Sequence, residues 1–232
     1  MELTVIYPAY NERDNARETL TRTLNALRGV AERFEVVVID DGSRDGTPEI
    51  VEAMARDNPE IRLLRNDRNI GQGATLLRGF AEARHEWVMH NAMDYPFDLR
   101  DLDKVAPLLS ESDVIVASRK TRAGYSLYRI LLSAGNRLLL RVLFGLPMRD
   151  LNFTQLYRKR VFETVQVETR STAFLTPELV IRANDQGFRV REVEIEYHPR
   201  LHGRATAGDP KVVWSSLRDM LQFWLRRIGR KR

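Results

Sequence analysis

Paired carboxylates follow directly after one of the most apolar segments of the chain. Residues 36–39 are Val-Val-Val-Ile, and Asp40 and Asp41 come next, ahead of a glycine-containing turn. A run of β-branched residues is typical of a strand buried on both faces of a parallel sheet. Because ligands of open α/β sheets bind outside the carboxyl ends of the strands, both carboxylates are placed to accept hydrogen bonds from a base or a ribose. An acidic turn that only precedes a helix looks similar, and Thr47-Pro48 does indicate a helix start with Thr47 as the N-cap.

The segments that must position these carboxylates alternate between strand and helix patterns. We predict strands at residues 3–7, 35–39, 61–64, 87–90 and 113–117, and helices at residues 14–31, 48–56, from 71 onward, 125–146 and 213–228. Such alternation predicts an α/β fold, a mixed but mainly parallel sheet flanked by helices with right-handed crossovers. Without repeats or low-complexity linkers, we expect one domain over residues 1–210 and a C-terminal amphipathic, basic helix over residues 211–232.

Composition narrows the classes of function. The 232 residues are 43% hydrophobic, contain no cysteine and carry a net charge of +5. This length can bury one sizeable core, and the lack of cysteine excludes disulfides, thiolate metal sites and a cysteine nucleophile. The chain enters a strand at once and has no apolar run of membrane-spanning length, so we expect no signal peptide and a cytoplasmic location. Interspersed charges and the absence of a P-loop or Gly-x-Gly-x-x-Gly motif argue against nucleic-acid and dinucleotide binding.

Three motifs, in order, carry a resemblance to a known family. They are Ile6-Tyr7-Pro8-Ala9-Tyr10-Asn11-Glu12, Val38-Ile39-Asp40-Asp41-Gly42-Ser43-Arg44-Asp45-Gly46-Thr47, and Arg68-Asn69-x-Gly71 with Gly73, Ala74 and Gly79. They resemble the nucleotide half of family 2 glycosyltransferases, which have the GT-A fold. The resemblance implies that a nucleoside-diphosphate sugar is bound by Pro8, Tyr10, Glu12, Asp40, Asp41, Asn69, Gly71, Gly73 and Asn91. Glycines and short polar side chains at strand ends allow the close approach that this role needs.

The next motif departs from the family pattern. After its fourth strand the family carries Asp-x-Asp, which holds a divalent cation that bridges the diphosphate. Here His90 replaces the first Asp and Ala92 the second, while Asp94 stands where a Gln is common. We expect a Mg²⁺ or Mn²⁺ cofactor with Asp94 and His90 as metal ligands and Asp94 as a catalytic residue. Two alternatives stay open: arginine side chains neutralise the diphosphate without metal, or the protein no longer catalyses transfer.

The second half of the chain resembles the polyprenol-phosphate mannose and glucose synthases. The resemblance lies in Ser118-Arg119-Lys120, Arg129, Ser133, Arg149-Asp150 with Phe153, Glu178, Glu192-Val193 and Tyr197-His198-Pro199-Arg200 with Gly203. It implies that phosphate groups of donor and acceptor are contacted by Arg119, Arg129, Ser133 and Arg200, a task that suits the guanidinium fork. It also makes Arg119 and Asp150 catalytic candidates, with Asp150 as a base or an acceptor-orienting carboxylate.

Two helices support a membrane hypothesis. In residues 125–146 the polar side chains follow one narrow stripe and apolar residues cover the remainder. In residues 213–228 Trp and Leu recur at helical spacing beside a basic cluster that ends at Arg232. Both patterns suit the surface of an anionic membrane. The alternative is that both apolar stripes pack on the sheet or on a partner subunit. Between these helices, residues 200–210 read as a mobile loop.

The function that this resemblance implies is inverting transfer of a hexose from a nucleoside-diphosphate sugar to a polyprenol phosphate. We expect the reaction at the cytoplasmic face of a membrane, with peripheral attachment and no nucleic-acid partner. Two other classes stay open: a non-catalytic or metal-independent nucleotide-sugar-binding protein, and a transferase that acts on a glycan or soluble hydroxyl. A hydroxyl acceptor would need a base such as Asp150, whereas a phosphate is already anionic. The donor base, the sugar and a homo-oligomeric state are left undetermined by the sequence.

Overall fold

A computed structural model describes residues 1–120, 127–169, 171, 173–196 and 210–230, with backbone only for Arg129 and Arg230. The strands are β1 Glu2–Ala9, β2 Arg33–Asp40, β3 Ile61–Arg65, β4 Trp87–His90, β5 Val114–Arg119, β6 Thr154–Arg158 and β7 Val190–Ile195. The α-helices are α1 Arg13–Val30, α2 Thr47–Asp57, α3 Gln72–Glu82, α4 Leu102–Val105, α5 Leu127–Phe144, α6 Lys159–Thr164, α7 Leu175–Asp185 and α8 Pro210–Arg230. Two 3₁₀ turns, Leu99–Asp101 and Ala106–Glu111, flank α4.

The strands form one seven-stranded sheet in the order β3-β2-β1-β4-β6-β5-β7. β1 pairs in parallel with β2 and β4, β2 with β3, and β5 with β7, whereas β6 is antiparallel to both β4 and β5. The predicted mixed, mainly parallel sheet is therefore confirmed. One consequence is that β1 to β5 and β7 all end at the same edge of the sheet, while β6 begins there.

Strands β6 and β7 are absent from the sequence prediction. β6 reads Thr-Gln-Leu-Tyr-Arg, without the apolar run that marks β2, yet its first four residues are buried. Gln155 is tolerated there because its amide donates to the carbonyl of Leu151 at 2.8 Å. β7 reads Val-Arg-Glu-Val-Glu-Ile, half of it charged, and lies at the edge of the sheet, next to β5. The pattern search missed both strands because neither is a continuous apolar segment.

Two hydrophobic clusters form the core. Side chains of β1 alternate between them, because Leu3, Val5 and Tyr7 belong to one cluster and Ile6 to the other. The second cluster includes Met220 and Phe223 of α8, so this helix packs on the rest of the chain. The predicted division between residues 1–210 and 211–232 stays a prediction. Within the described part of the chain, no helix combines the length and low charge needed to cross a bilayer.

Helix α3 lies unusually close to the sheet. A Cβ atom at Gly79 would stand 2.6 Å from Cγ2 of Ile6 and 2.7 Å from Cδ1 of Ile39. Those distances are well inside van der Waals contact, so glycine permits the approach.

The start of α2 differs from the prediction, because its N-cap is Gly46, at φ 94°, and Thr47 and Pro48 occupy the first helical turn. The side chain of Asp45 accepts the Thr47 N–H at 3.0 Å.

Candidate active site

The loops after β1 and β2 begin side by side. Ala9 and Asp40, the last residues of these strands, are register partners, and the N–H of Asp41 donates to the carbonyl of Ala9 at 2.8 Å. The predicted ligands Pro8, Tyr10 and Glu12 therefore lie beside Asp40 and Asp41, as expected from parallel pairing. Pro8 and Glu12 are partly buried, and the Tyr10 side chain is 49% exposed.

Reciprocal hydrogen bonds join these two loops. The Asn11 N–H donates to Oγ of Ser43 at 2.9 Å, and its side-chain carbonyl accepts the Arg44 N–H at 3.0 Å. Asn11 adopts φ 55°, a left-handed conformation that asparagine tolerates better than most residues. The Glu12 N–H donates to Oγ1 of Thr47 at 2.9 Å. The two loops thus form one unit, held by the side chains of Asn11, Ser43 and Thr47, of which the sequence analysis gave a role only to Thr47, as a helix N-cap.

Asp41 accepts hydrogen bonds from the third loop of the site. Its Oδ1 accepts the Ile70 N–H at 2.9 Å and the Asn66 side-chain amide at 2.8 Å, and its Oδ2 accepts the Gly71 N–H at 2.9 Å. The side chain is 3% exposed. Charge-assisted bonds of this kind are roughly twice as strong as neutral ones. The carboxylate therefore shapes the loop that carries the predicted ligands Asn69 and Gly71.

The Asp41 network extends to residues that the sequence analysis missed. The Asn66 amide also donates to Oγ1 of Thr75 at 3.1 Å, and its Oδ1 accepts the Arg78 guanidinium at 2.5 Å. Asn66 follows β3 directly, so its position at a strand end was a usable signal. Gly42, at φ 77°, approaches the same loop: an added Cβ would lie 2.9 Å from the carbonyl carbon of Arg68. Backbone contact here requires glycine.

Asn91 anchors the loop after β4. Its amide donates to the Phe97 carbonyl at 2.9 Å and to the Tyr7 hydroxyl at 3.5 Å, and its Oδ1 accepts the Ala92 N–H at 3.0 Å. The side chain is buried. The structure thus directs the Asn91 side chain toward the protein interior, and the predicted nucleotide contact stays a prediction. A Thr19 hydroxyl bond to the Met93 carbonyl, 2.5 Å, fixes the same loop to α1.

His90 and Asp94 were the predicted metal ligands. Asp94 is buried, and Nδ1 of His90 is buried without a hydrogen-bond partner among the residues described. Burial lowers the pKa of His90 to about 4, so the imidazole is neutral near pH 7, which is the form that binds metals. However, no three His, Cys, Asp or Glu side chains of the described segments come together as a metal site. With His90 and Ala92 in place of two carboxylates, these residues do not fit the cation site of the family pattern.

The acceptor-side candidates Arg119 and Asp150 form a buried ion pair. Nε of Arg119 donates to Oδ2 of Asp150 at 2.6 Å and Nη2 donates to Oδ1 at 3.0 Å, a bidentate arrangement. The guanidinium also lies over the Phe153 ring, 4.9 Å from its centroid. Ser133 is partly buried on α5. The Arg129 side chain and Arg200 lie outside the described residues, as does most of the loop predicted at 200–210.

The predicted nucleotide ligands and the Arg119–Asp150 pair lie along the same edge of the sheet. Asp40 and His90 end β2 and β4, Arg119 ends the parallel strand β5, and Asp150 precedes the antiparallel strand β6. All of these positions therefore lie at the carboxyl edge, where α/β sheets bind ligands. Glu178, on α7, instead accepts the backbone N–H groups of Glu168 and Thr169, at 3.0 and 2.9 Å. That buried carboxylate holds a loop.

Comparison with known proteins gives a family and several relatives. The profile described as Glycosyl transferase family 2 matches residues 4–166. Glycosyltransferase AglD of Haloferax volcanii is 29% identical over 230 residues, which cover 95% of this chain and 35% of that protein. Dolichol-phosphate mannosyltransferase of Pyrococcus furiosus is 31% identical over 248 residues, covering 99% of this chain and 66% of that protein. The chain thus spans about a third to two thirds of these relatives.

Solved structures share the fold. Glucosyl-3-phosphoglycerate synthase of Mycobacterium tuberculosis, in complex with Mn²⁺, UDP and phosphoglyceric acid, gives a TM-score of 0.72 at 17% identity, covering 96% of this chain and 78% of that one. Mannosyltransferase PcManGT of Pyrobaculum calidifontis, in complex with GDP-Man and Mn²⁺, gives 0.70 at 20% identity, covering 97% and 64%. At these identities the likeness establishes the fold, and it confirms the expected GT-A architecture.

Proposed function

The chain belongs to glycosyl transferase family 2, and we propose that it transfers a hexose from a nucleoside-diphosphate sugar to a polyprenol phosphate with inversion. Relatives named as dolichol-phosphate and undecaprenyl-phosphate transferases support the acceptor class. The observation that carries the proposal is the shared edge of the sheet, on which both the loops shaped by Asp41 and the buried Arg119–Asp150 pair lie. The loops shaped by Asp41 suit a nucleotide, and the Arg119 guanidinium suits an anion.

On the donor side, we assign direct contacts to the side chains that the loops leave at the surface. Tyr10 and Asn69 are exposed, Glu12 is partly buried, and the partly buried Gly71 permits close approach of a base or ribose, whereas Gly73 is buried in the first turn of α3. Asp41 acts in this proposal by holding the loop that carries Asn69 and Gly71, in addition to any contact of its own. Pro8 completes this set, whereas the Asp40 carboxylate is buried and accepts the Ser43 N–H at 3.3 Å, so its nucleotide contact stays a prediction.

On the acceptor side, charge neutralisation matters more than proton removal. A phosphate monoester is anionic at neutral pH, so one of its oxygens attacks the anomeric carbon directly. The new C–O bond forms on the face opposite the leaving group, and the nucleoside diphosphate departs with the electron pair of the broken bond. We assign Arg119, with Arg129, Ser133 and Arg200, to the phosphate of the acceptor. Because both oxygens of Asp150 accept from the Arg119 guanidinium, we assign Asp150 to orientation of Arg119.

No step of this mechanism is assigned to a divalent cation. Mn²⁺ accompanies the nucleotide sugar or nucleotide in the two solved structures above. In this chain His90 and Ala92 stand where the family pattern has carboxylates, so the described residues do not supply that ligand set. The requirement for Mg²⁺ or Mn²⁺ is therefore one arm of the experiment.

The test is a transfer assay with radiolabelled UDP- and GDP-hexoses and a polyprenyl phosphate in detergent, each with Mn²⁺, Mg²⁺ or EDTA. The proposal expects label in the organic phase as an acid-labile lipid-linked sugar. In cells, we propose that the same reaction takes place at the cytoplasmic face of a membrane. Label on a water-soluble hydroxyl acceptor, with none on the lipid, would replace the proposed acceptor. Nucleotide binding without any turnover of donor would identify a non-catalytic binding protein.

A further inference from the structure

Helix α5 exposes apolar side chains and has polar side chains on its inner side, the reverse of an ordinary surface helix. Its buried side contains Leu140 and Phe144 next to the partly buried polar residues Ser133 and Asn136. Its outer side carries large apolar residues at a spacing of four, seven and four: Leu127, Leu131, Leu138 and Val142, which are 73, 64, 64 and 71% exposed. A helix on a water-facing surface normally shows the opposite arrangement. The outer side of α5 is therefore built to be covered.

Exposed apolar side chains are concentrated on α5 and one other helix. Of the thirteen large apolar side chains that are exposed in the described structure, seven lie on α5 and four on α8. The other two, Tyr10 and Ile70, lie at the nucleotide loops. On α8 the exposed residues Trp214, Leu221, Leu225 and Ile228 fall on one stripe. Scattered single apolar residues are normal on a protein surface, whereas concentration on two helices indicates a binding surface.

The two helices are neighbours. Phe144 of α5 packs against Phe223 of α8, with ring centroids 5.6 Å apart, and the guanidinium of Arg227 lies 5.7 Å from the Phe144 centroid. Leu140 and Met220 belong to the same core cluster. We call the exposed apolar residues of α5 and α8 together the docking face.

Charge on these helices selects the chemistry of the partner. α5 has three basic residues and no acidic one, and α8 has five basic residues and Asp219 as its single acidic residue. Arg218, Arg226 and Arg227 of α8 pair with Asp219, Glu168 and Asp185, so the protein itself partly neutralises these cations, and the basic excess of the surface comes mainly from α5. A second copy of the chain would bring two such basic surfaces together and repel. An anionic bilayer attracts the charge and accepts the apolar side chains.

We propose that α5 and α8 dock the protein on the surface of an anionic lipid bilayer through the docking face. The inner side of α5 connects to the site: the Asn136 amide donates to Asn152 at 2.8 Å, and the Asn152 N–H donates to Oδ1 of Asp150 at 3.3 Å. One helix therefore touches lipid on its outer side and the Arg119–Asp150 region on its inner side. The benefit for catalysis rests on the proposed function, whereas docking itself does not.

The test is vesicle flotation of the full chain with phosphatidylcholine vesicles that contain 0 or about 30% phosphatidylglycerol, each at low and high salt. Wild-type protein is expected to float with the anionic vesicles, and less so as salt screens the attraction. The double substitution Leu131→Glu and Leu138→Glu should reduce the bound fraction at least about tenfold, because a charged side chain resists burial in the interface. The milder pair Leu131→Ser and Leu138→Ser should give an intermediate loss.

A matched control adds the same charge on another exposed helix. Thr21→Glu with Asn25→Glu on α1 should float like wild type. Equal flotation of the Leu131/Leu138 variant and this control would overturn the proposal, as would wild-type protein that never floats. A wild-type dimer in sedimentation velocity that the Leu131/Leu138 substitutions dissociate, without flotation, would assign the face to a second copy. Calorimetric nucleotide binding, expected to be unchanged in every variant, separates this result from a failure of the proposed function.

Discussion

The proposed nucleotide side and the proposed acceptor side of the same sheet edge differ in how their polar groups are used. On the nucleotide side, three loops are joined by hydrogen bonds of the Asn11, Asp41 and Asn66 side chains. On the acceptor side, one buried ion pair, Arg119–Asp150, is linked through Asn152 to α5, whose outer residues are apolar and exposed. The first region is preorganised for a small polar ligand, whereas the second has a surface that needs a partner.

This difference explains where rigidity is useful. Nucleotide affinity improves when the loops need no further ordering on binding, because the entropy of ordering is then already offset in the folded state. The proposed acceptor combines a long apolar chain with a phosphate head. Helix α5 carries apolar side chains on its outer side and is linked to the Arg119–Asp150 pair on its inner side. The comparison makes separable predictions, since a change on one side should leave the other intact.

Replacement of Arg119 should give the largest effect. Arg119→Lys keeps the charge but loses the bidentate contact with Asp150, and we expect transfer to fall by about a thousandfold, roughly 4 kcal/mol. Nucleotide affinity should stay within about twofold of wild type. Initial rates and calorimetry on the same preparation measure both, and Arg191→Lys, a change on β7, is the control. Comparable losses in both quantities would mean that the two sides are not separable.

Replacement of Asp41 should produce the reverse pattern. Asp41→Asn removes the charge that organises the loop at Ile70 and Gly71, so we expect about 30-fold weaker nucleotide binding. Asp57→Asn, an exposed change at the end of α2, should bind like wild type. If affinity is unchanged in Asp41→Asn, this carboxylate neither shapes the loop nor touches the nucleotide.

A substitution at Asp113 tests whether the stability of the fold can change while the nucleotide side and the acceptor side keep their function. Burial tends to raise the pKa of Asp113, but hydrogen bonds from the Arg189 backbone N–H and from Arg160 and Arg189 side chains lower it below its ordinary value. A lowered pKa means that this carboxylate stabilises the fold above about pH 4 and loses that contribution as the pH falls further. We expect Asp113→Asn to lower the free energy of unfolding by about 2 kcal/mol at pH 7, with a smaller difference near pH 3.5.

Urea titrations of wild type and Asp113→Asn at several pH values measure this difference. A gap that is constant from pH 7 to pH 3.5 would contradict the assigned role of the charge. Nucleotide affinity at pH 7 should not change, since Asp113 precedes β5 and lies at the edge of the sheet opposite the site.

Gly79 gives the smallest expected effect. The Cβ of Gly79→Ala would meet Ile6 and Ile39 at under 3 Å, so α3 must shift, at a cost of about 1–2 kcal/mol in unfolding free energy. Because α3 begins at the Gly71 loop, we also expect about threefold weaker nucleotide binding. Gly29→Ala, which has open space around its Cβ, should be neutral or slightly stabilising. Equal thermal stability of both variants would refute the close packing.

The strands of the nucleotide side could be predicted from the sequence, because they are continuous apolar runs, and such runs followed by Asp or His are typical of buried strands that end at a site. It could not predict that Asp41 accepts two backbone N–H groups from residues 70 and 71, because that depends on where a later loop returns. For α5, the polar stripe was visible in the sequence, but which side faces the protein was not. β6 was missed because Gln155 and Thr154 look like surface residues until Leu151 and the neighbouring strands surround them.

The most direct measurement for this account is calorimetric titration of UDP and of GDP into wild type, Asp41→Asn and Arg119→Lys, each with Mn²⁺, with Mg²⁺ and with EDTA. We predict that one nucleotide binds wild type and Arg119→Lys alike and binds Asp41→Asn much more weakly. The cation arms then show how much of that affinity depends on metal. Absence of binding for both nucleotides under all conditions would contradict the claim that the carboxyl edge of β1 and β2 is a nucleotide site.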